Sequence, residues 1–280
     1  MTVKRMCQLA GVSRAGLYRY DADRDGADGD MGLRDAMQRI ALEFPCYGRP
    51  RLTAELKRRG WEVNHKRVYR LMQEDNLLCL RKKKFVVTSD SNHGLRVYRN
   101  LASGMEVNCI NQLWVADITY IRLQSEFVYL AVVLDAYSRR VIGWALEDTL
   151  EDDLTIGALR MALRLRKPAP GLVHHSDRGV QYASGDYIQL LKENGIDISM
   201  SRRASPWDNA ACESFMKTLK YEEVYRQEYR DRTEARASIG RFLEQVYNQR
   251  RIHSALGYVP PAEFERSVGS AGESAKVRVS

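Results

Sequence analysis

The sequence predicts an α/β protein, in which a mixed five-stranded sheet carries flanking helices and follows a small helical region. From about residue 106 the hydrophobic pattern indicates three strands, then helix, strand, helix, strand and helix. The 104 residues before it show helical patterns and contain 21 Lys and Arg against 12 Asp and Glu. Because the rest of the chain is nearly neutral, the front region is expected to bind a polyanion, nucleic acid first. A basic surface that serves only solubility is the alternative.

The first 30 residues predict two segments. Residues 1–20 resemble a helix-turn-helix fragment, with Gly11 at the corner and Ser13 capping the next helix. Residues 21–30 contain five Asp and two Gly, which indicates an acidic linker.

Residues 31–104 predict a basic helical DNA-binding domain. One helix is expected to end at Gly60, and Asn64 is expected to cap the next. A basic adaptor that binds another protein is the alternative. The side chains predicted to contact DNA in this region are Lys66, Arg67, Arg70, Lys82, Lys83 and Lys84.

Three strands are expected to open the main domain as an antiparallel meander. Residues 114–121 alternate in the manner of a strand, with Asp117 in the middle. Residues 127–134 are almost continuously apolar, as in a strand buried on both faces. Residues 141–146 form the third strand, and the links between the three are short.

Helices and strands alternate after the meander. A helix over 153–166 can serve as the crossover that makes the fourth strand a parallel neighbour of the first. Asp177 follows that fourth strand directly, and Glu213 lies near the start of a helix capped by Asp208 or Asn209. The remaining elements are a strand over 172–176, a helix from Ser184 to Gly195 and a strand over 196–200.

Three acidic side chains are therefore candidates for one site. Asp117 would be costly to bury unpaired among Trp, Val, Ile and Tyr. Together with Asp177 and Glu213 it would suit hard divalent cations, Mg²⁺ or Mn²⁺. Two such ions about 3.5–4 Å apart, sharing one carboxylate, can activate a hydroxyl and stabilise the leaving oxygen of a phosphodiester. The alternative for Glu213 is an ordinary helical ion pair with Lys217 on a solvated face.

Four blocks of the sequence resemble the second-reading-frame (OrfB-type) DDE transposases of bacterial insertion elements, whose catalytic core is retroviral-integrase-like. Thirty-five residues separate Asp177 from Glu213, which is the spacing that this family is known for. The blocks are NQLWVADITYI at 111–121, HSDRGVQY at 175–182, DNAACESFMKTLK at 208–220 and YNQRRIHSALGYVP at 247–260.

The resemblance implies a ribonuclease-H-like catalytic core over residues 105–225. It also implies a C-terminal helix and tail motif over 226–266, and residues 267–280 are expected to be a disordered tail. It maps Asp117, Asp177 and Glu213 as the catalytic and metal-binding triad, with Asp117 bridging two ions and each of the others completing one site.

The implied activity is Mg²⁺-dependent cleavage and strand transfer of DNA at the ends of an insertion element. The expected partners are the terminal inverted repeats, target DNA, further copies of the chain on DNA and the product of an upstream reading frame. A cytoplasmic location without a membrane partner is also expected. The residues expected to hold DNA near the cut are Lys217, Lys220, Arg202, Arg203 and Trp207.

Two other functions remain open. An inactive relic or a DNA-binding regulator would keep the fold without the chemistry, and a non-specific ribonuclease-H-like nuclease would cut any duplex.

Several smaller features favour structural roles. His174 and His175 are more typical of local hydrogen bonding than of metal ligation. Cys212 lies on the apolar stripe of its helix, which indicates a core residue rather than a nucleophile. The five scattered cysteines indicate reduced thiols, and no zinc site is expected. Arg251 and His253 are expected either to hold the C-terminal tail on the core or to contact DNA.

Overall fold

The computed structural model describes residues 2–14, 17, 28–77, 96–202 and 209–277. The chain divides into two compact units, residues 1–81 and residues 82–280. Within the described part of the chain, no helix is both long enough and apolar enough to cross a bilayer. The residues of predicted function that lie outside the described ranges are Arg203, Trp207, Asp208, Lys82, Lys83 and Lys84.

The first unit is helical. Gly11 follows the first helix with a φ of +64°, in agreement with the predicted corner. The second helix begins inside the segment predicted as an acidic linker. The helices are α1 (Val3–Leu9), α2 (Asp28–Glu43), α3 (Arg49–Arg58) and α4 (His65–Glu74).

The predicted boundaries around α3 and α4 are confirmed. Gly60 has a φ of +86°, which suits the residue that ends α3. The Asn64 side chain accepts a hydrogen bond of 2.9 Å from the Lys66 N–H and so caps α4. Arg34 of α2 forms ion pairs with Glu74 and Asp75, so α2 is tied to the end of α4.

The second unit contains a five-stranded sheet in the order β3-β2-β1-β4-β5. The first three strands form the predicted antiparallel meander. β4 pairs in parallel with both β1 and β5. The strands are β1 (Leu113–Arg122), β2 (Phe127–Asp135), β3 (Val141–Glu147), β4 (Val173–Ser176) and β5 (Asp197–Met200).

Helices pack on both faces of this sheet. The helix predicted as the crossover connects β3 to β4, and Ser184 caps the next helix by accepting a hydrogen bond from the Tyr187 N–H. The helices are α5 (Asp152–Arg166), α6 (Gly185–Glu193), α7 (Ala210–Glu222), α8 (Arg232–Arg241) and α9 (Pro261–Val277).

The two faces of the sheet form separate cores. Val115 and Ile121 of β1 pack with Phe215 of α7 on one face. Trp114 and Ala116 pack with residues of α5 and α6 on the other face. This division follows the period-two alternation of β1, so the strand predicted from the sequence serves both cores.

Close packing at Gly143 explains why a glycine lies inside β3. A Cβ atom at this position would lie 2.2 Å from the Ala158 carbonyl oxygen of α5. Any other residue would therefore push α5 away from the sheet.

The C-terminal segment consists of further helical turns. A π-helical turn over Phe242–Tyr247 follows α8 directly. α9 then extends from Pro261 to Val277 and so includes the first part of the tail predicted over 267–280. Pro261 is suited to the first helical position of α9.

Candidate active site

Strand pairing brings Asp117 and Asp177 together. β1 and β4 are parallel, and Val115 of β1 lies opposite His175 of β4. β4 ends at Ser176, and Asp177 follows it directly, close enough to Asp117 for their charges to interact. Each carboxylate accepts a backbone hydrogen bond of 2.9 Å, from the Ile118 N–H to Asp117 Oδ1 and from the Gly179 N–H to Asp177 Oδ1.

The helix that carries Glu213 is attached to the same strand. Asn209 lies at the N-cap position of α7, but its side chain does not cap the helix as predicted. Its Nδ2 donates a 3.0 Å hydrogen bond to the Ala116 carbonyl oxygen, one residue before Asp117. The amide therefore connects α7 to β1, which brings the first turn of the helix, and Glu213 with it, towards Asp117.

The electrostatics of Asp117 reflect its neighbours. Burial raises the pKa of Asp117 to about 7, and the nearby charges of Asp177 and Glu213 add to the increase. The Ile118 N–H and the Lys220 ammonium lower the pKa of Asp117, but by less than burial raises it. Asp117 is thus close enough to both Asp177 and Glu213 to be repelled by their charges.

The chemistry of these donors fits a hard divalent cation, because all three are carboxylates and mutual repulsion is what such a cation relieves. Within the described ranges, however, no three His, Cys, Asp or Glu side chains are already grouped as ligands. Glu213 instead forms a 2.8 Å ion pair with Lys217, the helical pairing that the sequence left as an alternative.

The two lysines of α7 differ in environment. Lys217 is mostly exposed, whereas the Lys220 ammonium lies 5.0 Å from the centre of the Tyr120 ring. Burial lowers the pKa of Lys220, and the charge of Asp117 opposes this effect. Lys220 therefore lies close enough to Asp117 for the two charges to interact.

The other side chains predicted to bind DNA that the structure describes are exposed, and Arg67 and Arg70 are already paired. Arg67 and Arg70 both form ion pairs with Asp30 of α2, the second at 2.9 Å. Lys66 and Arg202 are exposed. Asp30 was assigned to the linker from sequence, so its role as a partner of these arginines was missed.

The two histidines before Asp177 make local hydrogen bonds, as predicted. His174 Nε2 lies 2.9 Å from the Tyr187 hydroxyl, and burial lowers the pKa of His174 to about 3. His175 lies within hydrogen-bond distance of the hydroxyls of Ser199 and Ser201. Both imidazole rings are buried, and β4, which carries them, pairs with β5.

Cys212 and Arg251 are both buried and contribute to the packing of the second unit. Cys212 is fully buried, and burial raises the pKa of its thiol, which confirms the prediction of a core residue. Arg251 is 2% exposed and binds both carboxylate oxygens of Glu222 at 2.7 Å. Of the two roles left open for Arg251, holding the tail on the core is the one that this contact supports.

Sequence reasoning missed two side chains next to the acids. Asn209 was considered only as a helix cap, and Tyr182 was quoted in a block without a role. A tyrosine five residues after a candidate ligand carries no local signal of its own, because periodicity cannot tell a core aromatic from one that borders a site.

Families of known proteins match three parts of the chain. The HTH-like domain family matches residues 29–85, and two integrase core domain families match residues 107–206 and 194–261. The HTH-like match falls on the predicted basic helical domain, whereas the fragment predicted at residues 1–20 precedes it.

Individual relatives match over almost the whole chain. The IS600 uncharacterized 31 kDa protein of Shigella sonnei is 40% identical over 92% of this chain and 97% of its own length. The InsF transposase for insertion sequence IS3A of Escherichia coli K12 is 36% identical over 94% of each chain. Among solved structures, the HTLV-2 integrase catalytic core domain in complex with magnesium aligns with 56% of this chain and 97% of its own length, with 17% identity and a TM-score of 0.43. Full-length identity to these insertion-element proteins, together with the HTH-like and integrase core domains, shows that the chain belongs to the IS3 family of transposases.

Proposed function

We propose that this transposase cleaves and joins DNA at the ends of an insertion element, with Asp117, Asp177 and Glu213 as its catalytic acids. The observation that carries the proposal is the parallel pairing of β1, which contains Asp117, with β4, which Asp177 follows directly. The attachment of α7 to Ala116 supports the inclusion of Glu213. The reaction proposed is in-line attack on a phosphodiester by water and then by a 3′-hydroxyl, without a covalent enzyme intermediate.

The three carboxylates would hold Mg²⁺ or Mn²⁺, with two ions proposed. When bound, such ions activate a hydroxyl and stabilise the leaving oxygen of a phosphodiester. Asp117 has a pKa of about 7, so its full ionisation at neutral pH requires positive charge nearby. Glu213 would have to leave its ion pair with Lys217 to take part.

The chain's own cations would orient the DNA. Lys220 lies close enough to Asp117 for their charges to interact, so a phosphate that reaches the acids also meets this ammonium. Lys217 would become available to a second phosphate once Glu213 is engaged. The exposed Arg202 would extend this surface, as would Arg203 and Trp207.

The proposed partners are the terminal inverted repeats, target DNA and other copies of this chain assembled on DNA. The HTH-like domain supports binding of the repeats through Lys66, Arg67 and Arg70. Release of the last two from Asp30 would accompany that contact. Lys82, Lys83 and Lys84 fall in the same matched segment, and an upstream reading-frame product is a further proposed partner.

Strand transfer of labelled element ends by the purified protein tests the proposal. In the presence of Mg²⁺, Asp117→Asn, Asp177→Asn and Glu213→Gln should each reduce joining by about 10³-fold or more, because each removes a charge that acts with the other two. End binding, measured by fluorescence anisotropy, should stay intact. Asp186→Asn is the matched control, since this acid is exposed in the first turn of α6.

Three outcomes would contradict the proposal. Joining that persists in the triad variants would reject the assigned acids. A wild-type protein that binds the ends and never joins them would be the relic or regulator. Equal cutting of random duplex and of terminal repeats would identify the non-specific nuclease.

A further inference from the structure

The Tyr182 hydroxyl is a buried polar group without a partner in the described part of the chain. The residue is 2% exposed, and its hydroxyl makes no hydrogen bond to any described residue. Leaving such a group unpaired costs about 1–3 kcal/mol, so folded proteins rarely retain one without a reason.

Tyr182 lies against the candidate active site. It ends a single 3₁₀ turn, Val180–Tyr182, that begins three residues after Asp177. A Cβ atom on Gly179 would lie 3.0 Å from Asp177 Oδ1 and 3.7 Å from Tyr182 Cδ2. The carboxylate and the tyrosine ring therefore border the same glycine.

The ring also packs beside β1. Tyr182 belongs to the core cluster that contains Ala116 and, at its edge, Ile118, the two neighbours of Asp117. The ring thus packs on the face of β1 that Ala116 and Ile118 occupy, opposite the face that carries the Asp117 side chain. It approaches the acids past the end of β4, at Gly179 and Asp177.

A second buried tyrosine provides an internal comparison. Tyr187 is 1% exposed and meets Tyr182 edge-on, with ring centres 5.4 Å apart. Its hydroxyl is 2.9 Å from His174 Nε2, so this tyrosine is paired. Two adjacent tyrosines of equal burial therefore differ in one respect, which is that only Tyr187 has its hydroxyl occupied by a described residue.

The electrostatics agree with this position. Burial raises the pKa of Tyr182, and the charges of Tyr187, Asp117 and Asp177 raise it further. The hydroxyl therefore remains protonated at neutral pH and can act only as a neutral hydrogen-bond donor or acceptor.

We propose that Tyr182 is a positioning residue whose hydroxyl donates a hydrogen bond to Asp177 when Asp117 and Asp177 hold a divalent ion. The bond would orient the Asp177 carboxylate, in the manner of the outer-shell partners of metal ligands. This inference rests on the proposed function, because it requires these two acids to be the ligands.

The test is Mn²⁺ binding by the full-length chain without DNA, followed by electron paramagnetic resonance of the free ion. Tyr182→Phe removes only the hydroxyl and should weaken Mn²⁺ binding about tenfold. Tyr187→Phe, the matched control, should leave Mn²⁺ affinity within about twofold of wild type while lowering stability through the lost bond to His174. In chelator, Tyr182→Phe should unfold at the same denaturant concentration as wild type or a higher one.

Asp177→Asn separates failure of this inference from failure of the proposed function. If Asp177→Asn abolishes Mn²⁺ binding and Tyr182→Phe binds as wild type does, the positioning role is overturned and the site stands. If neither variant changes Mn²⁺ binding, both are overturned. A Tyr182→Phe variant that loses stability in chelator but keeps full Mn²⁺ affinity would assign the hydroxyl to the fold instead.

Discussion

Two sheltered carboxylates in the second unit, Asp117 and Glu265, have pKa values displaced in opposite directions. The pKa of Asp117 is raised to about 7, whereas that of Glu265 is lowered. Burial acts on both in the same sense, since it disfavours the charged form and raises the pKa. The difference therefore comes from the groups around them.

Glu265 is surrounded by donors. Its carboxylate pairs with Arg166 and, at 2.6 Å, with Arg140, and it accepts a 2.7 Å hydrogen bond from the Ser138 hydroxyl. These contacts outweigh burial and join α9 to α5 and to the turn between β2 and β3. Glu265 therefore has a structural role, which is to hold α9 against the sheet domain.

Asp117 has neighbours of the opposite kind. Among the residues that the structure describes, its partners are one backbone N–H and the charge of Lys220, set against two nearby acids. The same unit can surround an acid with arginines, as it does at Glu265. That it leaves Asp117 beside other acids favours a site kept for a cation from solution.

The largest expected effect is at the paired acid. Glu265→Gln removes the charge that pairs with two partly buried guanidinium groups, so we expect the free energy of unfolding to fall by about 3–5 kcal/mol. Urea denaturation followed by circular dichroism measures it. Glu234→Gln is the control, because Glu234 pairs with Arg230 on the surface at 3.0 Å and should change stability by less than about 1 kcal/mol. Equal effects of the two substitutions would contradict the comparison.

Substitution of Asp117 should change the free energy of unfolding in the opposite direction, towards higher stability. The folded protein keeps a proton on Asp117 up to pH about 7, whereas an unfolded chain releases it near 3.8. Between these values the folded state binds more protons, so wild-type stability without metal should fall as pH rises from about 4 to 7. Asp117→Asn lacks this fall and should be more stable than wild type by about 1–3 kcal/mol at pH 8.

Unfolding in chelator at pH 5, 6, 7 and 8 measures this difference. Glu265 does not interfere, because a lowered pKa affects stability only below its ordinary value of 4.5. Added Mg²⁺ should stabilise wild type and not the variant, since a ligand stabilises only the state that binds it. If the stability of the two proteins changed with pH in parallel, the pKa of Asp117 would not be raised in the folded state.

The elements of the fold were predictable because their signals are local. Alternation predicted a strand over 114–121, and β1 extends it by one residue at each end. The helix over 153–166 and the caps Asn64 and Ser184 were likewise predicted from neighbouring residues. The parallel pairing of β1 with β4 followed from a general rule about crossovers, which is why the two aspartates could be expected to meet.

The polar contacts between distant residues were not predictable. Glu265 lies 99 positions from Arg166 and 125 from Arg140, and no periodicity connects residues so far apart. Asn209 shows a related limit, because an amide suited to a helix cap can equally bond to a strand, and only the packed structure decides. The pairing of Arg67 and Arg70 with Asp30 was missed for the same reason.

The smallest effect on stability is expected at Lys217. Its ion pair with Glu213 is exposed and helical, so Lys217→Ala should change the free energy of unfolding by about 0.3–0.5 kcal/mol. If Lys217 transfers to a DNA phosphate, the variant should also bind element ends with a salt dependence reduced by about one unit of slope. Lys220→Ala should reduce the slope similarly, whereas Lys192→Ala, on the exposed face of α6, should not.

Anisotropy titrations of labelled ends at several salt concentrations give these slopes. A Lys217→Ala slope equal to that of wild type would leave the lysine as the partner of Glu213 alone. A reduced slope with nearly unchanged stability would mean that the pair contributes little to the fold and that its lysine acts on DNA. In that case Glu213 would lose its counter-ion as DNA arrives, which is the condition under which it could join the two aspartates.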